Sequence, residues 1–137
     1  FQFQWFFRLF LTALKLVLLL NEDPDRVNAG ATELIRQGKP EVAAIVLKVL
    51  TTRHPNQNYY KNWLVAMLNS GAYKDGLALS RYYNQLFPND PEGHAITGLM
   101  MFITNDPRTK AYVDSLNAAF PNHNSITTLR SETQQSP

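Results

Sequence analysis

The stretch SGAYKDGLALSRYYNQLFPNDPE, residues 70–92, decides how the chain folds. Apolar side chains recur at spacings of three and four through LALSRYYNQLF, which predicts an amphipathic helix. Gly71 stands just before it, where a left-handed residue would end a preceding helix. Pro88 follows it and stops it. Asp90-Pro91 then offers a carboxylate N-cap followed by proline at the first position of a further helix. One helix is thus bracketed between two others.

The same layout recurs at an offset of 33 residues. QGKPEVAAIVLKVLTTRHP ends at Pro55, SGAYKDGLALSRYYNQLFP at Pro88, and TNDPRTKAYVDSLNAAFP at Pro121. Gly38, Gly71 and Thr104 share one column, and the small residues Ala43, Gly76 and Thr109 share another. Leu34, Met67 and Met100 form a third; Val46, Leu79 and Tyr112 a fourth; Leu50, Tyr83 and Leu116 a fifth. A fixed period in this range is the signature of stacked helical repeats. Each unit reads as two short helices, with Asp23-Pro24, Asp90-Pro91 and Asp106-Pro107 as helix starts. A small side chain at Ala43, Gly76 and Thr109 suits a close approach of two antiparallel helices. After Pro121 a short capping helix is expected around Ser125–Arg130, followed by a polar tail.

With its glycine, an aromatic two residues on, a small residue three further, and a closing Pro-Asn-Asp-Pro-Glu, the stretch 70–92 resembles the tetratricopeptide repeat (TPR). The resemblance covers roughly residues 24–121. It rests most on Gly71, Tyr73, Gly76 and Pro88, then on Gly38, Ala43 and Pro55, while Thr104 and Thr109 depart from the pattern. It implies an all-α, right-handed α-solenoid of about three helix pairs, and the apolar run at residues 1–20 puts one hydrophobic N-terminal helix before them. The expected division is 1–20 for that helix, 21–123 for the repeats, and 124–137 for a cap and tail. It also implies a concave groove that takes a peptide, lined at Asn28, Thr32 and Arg36; at Asn58, Lys61, Val65 and Asn69; and at His94, Gly98 and Phe102. A TPR motif specifies a fold and no activity, so function must come from the surface.

The opening FQFQWFFRLFLTALKLVLLL has 15 apolar residues in 20, interrupted by Arg8 and Lys15. Twenty helical residues rise about 30 Å, the thickness of a bilayer's hydrocarbon core. A central cation costs roughly 2.5–3.5 kcal/mol on insertion scales and each Leu, Phe or Val returns about 0.3–0.6, so the sum is near zero. Arg8 and Lys15, seven apart, share a face, with Trp5, Phe6 and Phe10 among the apolar residues around it. The expectation is a membrane anchor, spanning or interfacial, that contacts lipid and integral membrane subunits, with the two cations facing acidic groups of a complex. The charge pattern would put the repeats on the non-cytoplasmic side, periplasmic in a bacterium. The alternative is that this helix belongs to the fold itself. No small-x-small site precedes Asn21, so a cleaved leader is not expected.

Arg8 and Lys15 are the only charged residues among the first twenty, and beyond them 11 basic side chains balance 11 acidic ones. That neutrality argues against a nucleic-acid partner, which needs a cationic surplus. Without cysteine, thiolate metal sites and cysteine nucleophiles are excluded. His54, His94 and His123 lie far apart, in no metal-ligand spacing. Gly93 and Gly98 fall in a helical pattern, not in a phosphate loop, and no serine elbow is present. Neither an enzyme nor a cofactor is expected. The reading is a protein-interaction scaffold, an accessory or assembly subunit of a membrane complex, against a soluble TPR adaptor or chaperone binding a peptide in its groove. The aromatics Tyr59, Tyr60, Trp63, Tyr82, Tyr83 and Phe87 are expected mainly to pack helix on helix, with one or two left as partner anchors.

Overall fold

The structure, a computed structural model, describes the backbone of residues 2–18 and 23–134 and the side chains of residues 3–11 and 23–134. Eight helices and no strand occur among the described residues: α1 (Gln2–Leu18), α2 (Pro24–Arg36), α3 (Pro40–Arg53), α4 (Gln57–Ser70), α5 (Tyr73–Leu86), α6 (Pro91–Ile103), α7 (Thr109–Ala119) and α8 (Asn124–Gln134). The chain is all-α, as expected.

Local chemistry sets the boundaries. The Asp23 and Asp90 carboxylates accept from the backbone N–H of Asp25 at 3.0 Å and Glu92 at 3.2 Å, capping α2 and α6 ahead of their first-turn prolines. Asn56 caps α4 in the same way through Asn58 N–H at 2.9 Å. Gly38 and Gly71 take φ of +78° and +79°, the left-handed conformation their column called for. In the third unit that role falls on Asn105, with φ +58°, one place beyond the Thr104 column. The shift follows from spacing: α2 and α4 start 33 residues apart, α4 and α6 start 34 apart.

Asp106-Pro107 does not open a helix as the sequence suggested. The Asp106 carboxylate accepts from the Arg108 backbone N–H at 2.9 Å and from its guanidinium, closing a turn, and α7 begins only at Thr109. The capping helix is longer than expected, running from Asn124 to Gln134 as α8.

The helices group into two compact units, Phe1–Gly71 and Ala72–Pro137. In the first, α3 is the hub and touches α1, α2 and α4. Its Val42, Ala43, Val46, Leu47 and Leu50 pack with Val27, Ala31 and Leu34 of α2 and Tyr59 and Ala66 of α4. Ala43 is wholly buried, so a longer side chain there would push α3 off its neighbours. In the second unit α6 contacts α5, α7 and α8, and α7 contacts α8. Gly76 and Thr109, the counterparts of Ala43, are buried too, as are Tyr83 and Leu116, the counterparts of Leu50.

Gly93 and Gly98 do structural work on α6. A Cβ on Gly98 would come within 2.7 Å of Leu129 of α8, and one on Gly93 within 2.6 Å of the Tyr83 ring of α5. Both glycines therefore let a neighbouring helix close down on the α6 backbone.

The membrane anchor expected for residues 1–20 is overturned. No helix among the described residues is long and apolar enough to cross a membrane. α1 instead packs on α3 and α2, with Leu9 against the core of the first unit. The non-cytoplasmic placement of the repeats was argued from that anchor and falls with it.

Candidate functional site

Two surfaces follow from the sequence expectations: the proposed groove positions and the outer side of α1. Asn28, Thr32 and Arg36 lie on α2, and Asn58, Lys61, Val65 and Asn69 on α4, two helices in contact within the first unit. Their polar groups largely serve their own unit. Asn62 Nδ2 donates to Asn28 Oδ1 at 2.8 Å, tying α4 to α2. The Thr32 hydroxyl donates to Ala29 O at 2.9 Å, and Asn69 Nδ2 to Val65 O at 2.8 Å. Arg36 grips the exposed Glu33 with both arms of its fork, Nε to Oε2 at 2.8 Å, and its guanidinium holds the Glu33 carboxyl below its ordinary range.

A second tie joins the same two helices. The Tyr59 hydroxyl donates to Asp25, and burial first, then that carboxylate, pushes the phenol up to about 12. Sequence reasoning missed both ties, although Tyr59–Asp25 and Asn62–Asn28 are each separated by 34 residues, close to one repeat. The raised pKa has a pH consequence. The fold prefers the neutral phenol, so this contribution to stability is complete below pH 10, the ordinary tyrosine value, and is lost as pH climbs through about 12. Tyr59→Phe should lose the bond to Asp25 at neutral pH but show a shallower fall in denaturation midpoint above pH 10 than the parent chain. Equal alkaline slopes for the two chains would contradict the assignment.

His94 and Phe102 lie on α6, in the second unit, as does the buried Gly98 that meets Leu129. His94 is internally committed. Its Nε2 lies 2.8 Å from Pro88 O and its Nδ1 2.8 Å from the Tyr112 hydroxyl, with the Phe120 ring 5.7 Å away. Since a carbonyl only accepts, Nε2 carries a proton and donates to it, and in the neutral imidazole Nδ1 then accepts from the Tyr112 hydroxyl.

Two of the open pockets among the described residues lie in this unit. One, of about 640 Å³, is lined by Arg81, Asn84, His94, Thr97, Met101 and Arg108 among others. The other, of about 460 Å³, is lined by Phe102, Asp106, Lys110, Val113, Asp114 and Thr133 among others. Asp106 pairs with Arg108 at 2.8 Å and reaches Arg81 at 3.9 Å; the Arg108 hydrogen bonds draw its carboxyl down to about 2. Asn84 Nδ2 donates to the Thr97 hydroxyl at 2.8 Å, which donates to Gly93 O. The unbonded Asn84 Oδ1 sits over Gly93, 2.8 Å from where a Cβ would be, and so faces the α6 backbone. Among the described residues no three His, Asp or Glu side chains gather as a metal ion would require.

The outer side of α1 differs in kind. Every side chain from Phe3 to Arg8 is exposed, and Phe3, Trp5, Phe6, Phe7 and Phe10 are each 51–78% accessible. Phe3 and Phe7 stack at 6.2 Å with their planes 13° apart. Arg8 is exposed on the same helix, and Lys15 lies outside the described side chains. The other helices expose fewer large apolar side chains: Ile45 on α3, Tyr82 and Leu86 on α5, and Ile103 on α6. Of the interior aromatics, Tyr59 and Tyr83 are buried, and Trp63 packs on the core of the first unit beside Tyr60. No protein-family model matches the chain, and no curated protein matches it significantly.

Proposed function

We propose that the chain is a non-catalytic scaffold of TPR-like helix pairs, arranged as a right-handed α-solenoid, that joins other protein chains as an adaptor or assembly subunit. Three features support the repeat reading. α2, α4 and α6 start at intervals of 33 and 34 residues, and α3 and α5 start 33 apart. Left-handed residues close α2, α4 and α6, and the small column is buried.

One observation carries the functional reading: a helix anchored to its own unit through Leu9 holds five aromatic rings out of the core. Aromatic side chains concentrate at the centres of protein interfaces, and scattered single apolar residues do not explain such a cluster. The α2 and α4 polar residues are weaker candidates for a docking groove, because Thr32 and Asn69 bond their own helices and Arg36 its neighbour Glu33.

The test is recovery of bound protein on the immobilised full chain, compared with Phe6→Asp/Phe10→Asp. The double variant should retain the parent's helical circular dichroism and lose roughly ninety percent or more of specifically bound protein, since each anchor is worth about 2 kcal/mol or more. Undiminished recovery would refute α1 as the contact. A parallel Arg36→Ala/Lys61→Ala/Asn69→Ala variant should bind as the parent does; selective loss there would move the site to α2 and α4.

A further inference from the structure

The exposed rings of α1 are ordered. Phe3, Phe6, Phe7 and Phe10 fall at i, i+3, i+4 and i+7, which places them in one stripe along the helix. At 3.6 residues per turn the stripe spans about 100° of arc, and Arg8 lies roughly 150° around from its middle. The stripe therefore carries no charge, and a partner helix laid along it need not desolvate the guanidinium.

From this arrangement we infer that the Phe stripe is the self-association surface of the protein, occupied by a second copy of the same helix across a two-fold axis. The inference rests on the reading of α1 as the protein-contact element and names the occupant. Area supports it. At about 200 Å² per aromatic side chain, the accessible fractions of the four rings amount to roughly 500 Å² per protomer. A standard interface takes about 600–1,000 Å² from each partner, so the four rings with Leu11 beside them bring one side close to the lower end of that range. Geometry supports it too. A two-fold pairing is self-complementary, so the stripe meets its own spacing, with ridges at i±3 and i±4 available to interdigitate. The near-parallel Phe3–Phe7 pair presents ring faces and edges that a second set of phenylalanines can meet in offset or edge-on geometry. With Arg8 turned away from the stripe, the two-fold does not set like charges against each other at its centre.

The experiment is light scattering coupled to size-exclusion chromatography of the full chain at tens of micromolar, with tagged and untagged copies co-expressed in parallel. The parent should elute at twice the 15.6 kDa chain mass, and its tagged copy should capture the untagged one. Phe6→Asp/Phe10→Asp should elute at the single-chain mass with unchanged helical content, its self-affinity weakened roughly a hundredfold or more. Ile45→Asp, at an exposed position on α3, should leave the dimer intact and controls for a general effect of added charge. A single-chain mass for the parent, a polydisperse aggregate, or a dimer indifferent to the double substitution would each overturn the inference. If the parent is a single chain yet still binds another protein through Phe6 and Phe10, the second copy is refuted and the scaffold reading stands. If neither mass nor protein recovery depends on them, both fall.

Discussion

Tyr83→Ala is expected to cost roughly 3–5 kcal/mol of unfolding free energy, in the range of large aromatic truncations in a packed core. Tyr83 is fully buried on α5, its ring packs 5.0 Å from Phe87, and its hydroxyl donates to Asp90, the residue that caps α6. Truncation therefore removes a ring and a tie to a helix start together. Urea denaturation followed by circular dichroism measures it. A loss below about 1 kcal/mol would mean that the Tyr83 site collapses around the smaller side chain or that the ring is not enclosed. The ring lies directly over Gly93, so Gly93→Ala is itself expected to destabilise by about 1–3 kcal/mol through overpacking. The two changes should not add: once the ring is gone, the alanine methyl keeps only its close approach to Asn84 Oδ1, and the double variant should be less destabilised than the sum. Additivity would place the ring elsewhere.

Leu47→Ala should have a comparable effect in the first unit, roughly 2–5 kcal/mol. Leu47 is wholly buried and sits on α3, the helix that α1, α2 and α4 all contact, so the cavity opens where the unit can least readily close it. Total stability for a chain of this size is about 5–15 kcal/mol, so a substantial fraction is at stake. Leu47→Met, which keeps volume, should cost under about 1.5 kcal/mol. The same denaturation series reads both, and near-equal midpoints for the two variants would contradict the enclosed position of Leu47.

Much of the local structure was legible in the residues. The α5 helix, the left-handed glycines at 38 and 71, and the buried small column all follow from the 33-residue register, because each depends on near-neighbour sterics or on a period that one chain reveals. What failed did so for physical reasons. Asp106-Pro107 has the residues of a helix start, and Asp106 accepts from the N–H two residues on as Asp23 and Asp90 do, but here the Arg108 guanidinium also folds back onto the carboxylate and α7 starts two residues later, at Thr109. The nature of α1 was hidden because counting apolar residues reveals how greasy a helix is without saying which side meets protein; Leu9 and Phe6 look alike until one is packed and the other is not. The candidate groove positions were equally opaque. The resemblance put Thr32 and Asn69 on a groove, yet in the folded chain their side chains bond to carbonyls of their own turns. The Tyr59–Asp25 and Asn62–Asn28 ties were latent in the repeat length and went unread because polar pairs carry no hydrophobic signal.

Those two ties bear on how α2 and α4 keep their alignment. Val, Ala and Leu surfaces can slide past each other by a helical turn, about 5.4 Å, and still find tolerable neighbours. A phenol and an amide cannot, since a slip of that size takes the half-buried Tyr59 hydroxyl and Asn62 amide away from the acceptors they hold in this register. The pair therefore acts as a ratchet tooth, locking one longitudinal setting among several that grease alone would permit.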